Sequence, residues 1–241
     1  MTRRFGCELE FSSSKFEVAR LLSKALKSKL RRIGITVTDY KKWQIKDDRS
    51  TVGEVVSPIS TIRDLPKILD VCRLLKENNI EVTKNDGFHV HVQIKKTEIS
   101  NIIGLWLRCE EDLEFIFPKH RRNNYYCKRL LRSKKLPPVM SLQEGLEEAE
   151  DHHSVLSTFR DDIGTIEFRI AEGTFDPDFV SAWIIFCVKF VEYASKQDSI
   201  SLLFSKPYKL SMGKLLSMIG LSEKNKQIIM KRKRINRAQR R

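Results

Sequence analysis

The segment Gly87-Phe88-His89-Val90-His91-Val92-Gln93 alternates strictly between polar and apolar side chains. A period of two is the pattern of a β-strand with one face on a core and the other carrying polar groups. Phe88, Val90 and Val92 then share one face, and His89 and His91 share the opposite one. Asp86-Gly87 supplies turn chemistry at the strand's start. A lone His-x-His is more often a solvated surface pair than a site, so the reason for it has to come from the rest of the chain.

The same design recurs. Phe5–Phe11 (F-G-C-E-L-E-F) places Glu8 and Glu10 on one face and Cys7, Leu9 and Phe11 on the other. Thr165–Ala171 contributes Glu167 and Arg169, and Val52–Val56, stopped by Ser57-Pro58, contributes Glu54. Short strands are also expected over 34–40, 43–46 and 154–159, the last pairing with 165–171 around Asp161-Asp162-Ile163-Gly164. Apolar residues at helical spacing predict helices to about Arg32 and over 62–78, 100–117, 142–150, 179–194, 210–220 and 224–234. Regular βα alternation is missing, which predicts an α+β fold. Its mainly antiparallel sheet would be curved, with one polar concave face and helices packed on the other.

Carboxylates gathered on one such face repel unless cations lie between them. Glu8, Glu10, Glu54 and Glu167 with a histidine therefore point to hard divalent ions, Mg²⁺ or Mn²⁺. Taken singly, each pair reads equally well as a wet strand face, and Glu167 with Arg169 as a weak cross-strand ion pair. Their joint appearance on several strands favours a site.

The five cysteines contain no C-x-x-C pair, which predicts reduced, buried thiols. No apolar run approaches the roughly 18 residues of a membrane span, and no apolar leader opens the chain, so no membrane partner and a cytoplasmic location are expected. The net charge of +14 is concentrated in two acid-free stretches, Lys119–Lys135 and Lys231–Arg241, and favours anionic partners.

Several segments in order resemble the amidoligase family, carboxylate–amine ligases with a glutamine synthetase-like fold. They are F-G-C-E-L-E-F, W-Q-I-K-D-D-R-S with G-E-V-V-S-P, G-F-H-V-H-V, R-R-N-N-Y-Y-C, and G-T-I-E-F-R with G-T-F-D and Trp183. The likeness runs from about Arg4 to Ala194, which implies a catalytic domain over 1–200 and a helical, basic extension over 201–241. It implies an ATP- and Mg²⁺-dependent ligase that forms an amide through an acyl phosphate. By resemblance, Glu8, Glu10, Glu54, His89 and Glu167 are metal ligands, and Arg169 and Arg122 are catalytic and phosphate-binding groups. His91 lines the nucleotide site, and Asp48 serves the acid or amine pocket. The family usually shows a Tyr…Asn pattern where His153 and Ser157 stand here, a departure that touches the substrate pocket and leaves the metal residues intact. The acid and amine, whether small or carried on a peptide, protein or nucleic acid, are left open, as is the oligomeric state. A nucleic-acid-binding protein or metal nuclease using the basic stretches is the alternative.

Overall fold

The computed structural model describes residues 3–33, 43–47, 51–131, 138–158, 164–198 and 209–238. Six strands form one open antiparallel sheet: β1 (Phe5–Phe11), β2 (Gln44–Lys46), β3 (Gly53–Val56), β4 (Gly87–Gln93), β5 (Leu156–Ser157) and β6 (Thr165–Glu172). Their order is β2-β3-β1-β4-β6-β5, so the three strands with paired polar residues, β1, β4 and β6, lie side by side. With the helices around it, this is the α+β class that the patterning predicts. The strand expected over 34–40 and the turn at 159–163 lie outside the described residues.

Seven α-helices accompany the sheet among the described residues: α1 (Lys15–Ile33), α2 (Leu65–Glu77), α3 (Ile99–Leu113), α4 (Pro138–Ala149), α5 (Pro177–Ala194), α6 (Met212–Met218) and α7 (Glu223–Ala238). The single helix expected over 62–78 is divided. Ile62–Asp64 makes one 3₁₀ turn, in which the Asp64 carboxylate accepts from the Thr61 N–H and hydroxyl, and α2 begins beyond it. Pro66 has no N–H to donate, so it fits only the first turn of a helix and fixes where α2 starts. Leu65, Ile68, Cys72 and Leu75 then fall on one buried stripe. In α5, Asp176 caps the Asp178 N–H and Pro177 occupies the first turn.

The core lies behind the polar residues. Phe168 stands between Glu167 and Arg169 in β6 and turns the other way, into Trp106, Phe190 and Trp183 at ring-centroid distances of 5.8, 6.0 and 6.4 Å. Near-perpendicular ring pairs of this kind add a directional attraction to the burial of area. The aromatic side of β6 is thus fixed in the core, opposite the side that carries Glu167 and Arg169. Cys7, Cys72, Cys109, Cys127 and Cys187 are all buried free thiols, and burial raises the pKa of each.

The C-terminal helices share this core. Met212, Leu215, Leu216 and Ile229 are buried within the same cluster as Trp106 and Trp183. Part of the basic charge on α7 is paired with acids of other elements. Lys233 and Arg237 both pair with Asp112, Arg232 pairs with Glu172, and the Arg232 guanidinium lies 3.6 Å from the Phe179 ring centroid. The Asn236 side-chain amide donates to the Ile116 carbonyl at 2.7 Å.

Candidate active site

Register brings the polar residues together. Glu8 is opposite His89, Glu10 is opposite Glu54, and His91 is opposite Glu167. Paired residues on neighbouring strands point to the same face, so these side chains converge. His89 Nδ1 lies 3.3 Å from Glu8 Oε2 and 3.2 Å from Glu167 Oε1, and its Nε2 lies 3.4 Å from Glu10 Oε1. His91 Nε2 lies 3.2 Å from Glu8 Oε1 and 3.7 Å from Glu167 Oε1. Arg169 donates to Glu167 Oε1. Glu10, Glu54, His89, Glu167 and Arg169 are all buried, so the cluster is largely withdrawn from water.

A bulge shapes one wall. Between the pairs Val90–Phe168 and Phe88–Ala171, β4 contributes only His89 while β6 contributes Arg169 and Ile170. Such an extra residue interrupts the ladder and leaves backbone groups to be satisfied elsewhere. Arg121 supplies the donors: its Nη2 reaches the Arg169 carbonyl at 2.7 Å and its Nε the Ile170 carbonyl at 3.5 Å. The Cys127 thiol also donates to the Arg169 carbonyl, at 3.4 Å.

Gly87 closes the floor. Its N–H donates to Glu10 Oε2. A Cβ at this position would lie 2.6 Å from His89 Nε2, 3.1 Å from Arg121 Nη2 and 3.2 Å from Glu10 Oε2. Only a residue without a side chain lets these three groups approach one another there.

The electrostatics follow from the crowding. Burial works against ionisation of Glu8, but the His91 charge and the contacts of both imidazoles outweigh it and hold its carboxyl well below the usual range. Burial likewise disfavours a charged His91, yet Glu167 and Glu8 together raise its pKa. Neither ring nitrogen of His91 makes a directed hydrogen bond, and Arg169 Nε is also buried without one. Buried polar atoms without a hydrogen-bond partner are rare in folded proteins and call for an explanation such as water, an ion or a catalytic role.

The donor set fits a hard divalent cation. Glu8, His91 and Glu167 each offer one ligand atom, all within 4.8 Å of one another. The residues singled out in the sequence are thus largely brought together: Glu8, Glu10, Glu54, His89, His91, Glu167 and Arg169 meet on three central strands and β3. Asp48 lies outside the described residues. Arg122 is held at the turn after Pro118 and by α7. Its Nε donates to the Phe117 carbonyl at 2.7 Å, its Nη2 to the Asn236 carbonyl at 3.4 Å, and the guanidinium lies 4.9 Å from the Phe115 ring centroid. These contacts tie the turn after Pro118 to α7, and the neighbouring Arg121 is the arginine that reaches the strands. Nothing in the basic run 119–135 distinguishes Arg121 from Arg122 before the strands are placed.

The family described as "Putative amidoligase enzyme" matches residues 1–191, and the chain belongs to that family. Comparison with curated proteins returned no match.

Proposed function

We propose that this protein is an ATP- and Mg²⁺-dependent ligase that joins a carboxylate to an amine through an acyl phosphate. The observation that carries this reading is the convergence of Glu8, His91 and Glu167 within 4.8 Å beside Arg169. Membership of the amidoligase family supports a C–N bond-forming enzyme. Glu8, His91 and Glu167 would hold one divalent ion, and we propose Glu10, Glu54 and His89 as ligands of a second. An ion held there supplies neutralisation of phosphate oxygens.

The residues themselves do the rest. Arg169 keeps one nitrogen on Glu167 and has its Nε free for a phosphoryl oxygen, where charge builds up during transfer. The acid substrate's oxygen bonds to the γ-phosphorus as the bond to the ADP oxygen breaks. The amine then bonds to the acyl carbon, phosphate leaves, and the amine proton passes to a base, the role proposed for Asp48.

ADP release from Mg-ATP, measured against a panel of acids and amines, tests the reading. The expected result is ADP formation that needs an acid and a divalent ion, with ¹⁸O from a labelled carboxylate appearing in the released phosphate. ADP formation without ¹⁸O transfer, or no nucleotide binding at all, would overturn it.

A further inference from the structure

Two tyrosines stand out on the surface beside the site. Tyr125 is 64% exposed and Tyr126 43%. Their rings meet edge to face at 5.1 Å, Tyr125 lies 4.6 Å from the His153 ring, and His153 lies 5.2 Å from His152. The other exposed large apolar residues among those described, Phe16, Val52, Ile59, Met140 and Ile235, make no such ring cluster.

The segment that presents the rings is built rather than slack. Asn123 adopts the left-handed backbone region at φ 51°. The Asn124 side-chain oxygen accepts the Tyr126 N–H at 2.8 Å, and the Lys128 N–H donates to the His153 carbonyl at 2.8 Å. Lys128 also pairs with Asp151, whose carboxylate accepts the His153 N–H. A left-handed asparagine carries a backbone cost, here spent on holding two tyrosines out in water.

The cluster is fastened to the strand that carries the polar centre. Cys127, next to Tyr126, donates to the Arg169 carbonyl, and the Arg169 N–H donates to the Val155 carbonyl two residues beyond His153. Ser157 then pairs opposite Glu167. His152 feels the same neighbourhood: partial burial and then the Arg169 charge lower its pKa.

We infer that Tyr125, backed by Tyr126 and His153, is the stacking platform for the adenine ring of the nucleotide. The inference rests on the nucleotide-dependent reading above. The phosphates belong with the cations and Arg169, so the base needs a flat apolar surface next to Arg169, and these rings are the ones fastened there. Stacking on an exposed ring suits a purine, because every base has a π-face and no hydrogen-bond code is required.

Calorimetric titration of the full chain with Mg-AMP-PNP and with Mg-tripolyphosphate tests this. Tyr125→Ala should weaken AMP-PNP about tenfold or more, while Tyr125→Phe, which keeps the ring, stays near wild type. Tripolyphosphate, which has no base, should bind all three proteins alike. AMP-PNP binding Tyr125→Ala as tightly as wild type, or equal losses for both probes, would overturn the platform alone. Wild-type protein that binds neither probe would overturn the ATP reading and the platform with it. A single-stranded oligoadenylate that binds more tightly than AMP-PNP would assign the rings to nucleic acid, also against the inference.

Discussion

His91 and Glu167 face each other across β4 and β6, with the imidazole Nε2 3.7 Å from Glu167 Oε1. Glu8 approaches the same nitrogen from β1 at 3.2 Å. One imidazole therefore sits between two acids from two different strands, and the charge it meets raises its pKa. Metal ligation requires the neutral imidazole, so a bound cation and a ring proton compete for this position.

This geometry separates the two histidines. His91 belongs to the group whose ligand atoms all lie within 4.8 Å, whereas His89 bridges Glu8, Glu167 and Glu10. His91→Ala should therefore weaken Mn²⁺ binding more than His89→Ala does. Titration followed by electron paramagnetic resonance ranks the two variants, and the reverse order would give the ligand role to His89.

Gly87→Ala should damage the centre without unfolding the chain. The added methyl collides with His89 Nε2 at 2.6 Å and crowds Arg121 and Glu10, so the histidine has to move. The expected outcome is Mn²⁺ affinity reduced about tenfold or more, the scale seen when groups orienting metal ligands are disturbed. Far-ultraviolet circular dichroism should be unchanged.

Arg121→Met should destabilise the fold. It leaves the Arg169 and Ile170 carbonyls without their guanidinium donor at a buried bulge. Unsatisfied buried polar groups cost enough that a loss of about 2–3 kcal/mol is expected. Urea unfolding should show a lower midpoint with an unchanged m-value. Arg122→Met, acting at the α7 contact, should leave Mn²⁺ binding intact.

How much of this was legible in the sequence depends on periodicity. The β1 span came out at Phe5–Phe11 and the β4 span at Gly87–Gln93, because strict alternation leaves little freedom in where such strands lie. Convergence of Glu8, Glu10, His89, His91, Glu167 and Arg169 followed from that alternation once the three strands became neighbours. The bulge at Arg169-Ile170 did not, since no glycine or proline marks it. The break before α2 could have been read from Pro66, and the pairing of the α7 cations could not. Lys233 and Arg237 meet Asp112 more than a hundred residues away, and a basic run looks solvated until its partners are placed.

Glu110 makes a prediction away from the polar centre. Burial pushes its carboxyl up to about 7, although it accepts N–H groups from Trp106 and from Leu130, at 3.1 and 2.9 Å. Its pKa is higher folded than unfolded, so between roughly pH 4.5 and 7 the native state binds more protons than the unfolded state. Stability from this group is therefore greatest at low pH and is lost as pH rises to about 7, a change on the order of 3 kcal/mol. Glu110→Gln keeps a neutral side chain at every pH. Its stability relative to wild type should rise from pH 5 to pH 8 in paired urea titrations, and a difference that does not change with pH would contradict the account.

The face shared by β1, β4 and β6 is expected to bind a divalent cation through its acids. Mn²⁺ binding by electron paramagnetic resonance, compared among wild type, Glu8→Gln and Glu167→Gln, tests it most directly. Both substitutions keep shape and remove charge. Wild type should bind Mn²⁺ that Mg²⁺ displaces, with affinity reduced at least about tenfold in each variant. Wild-type protein that leaves Mn²⁺ free, or variants that bind it as tightly as wild type, would contradict it.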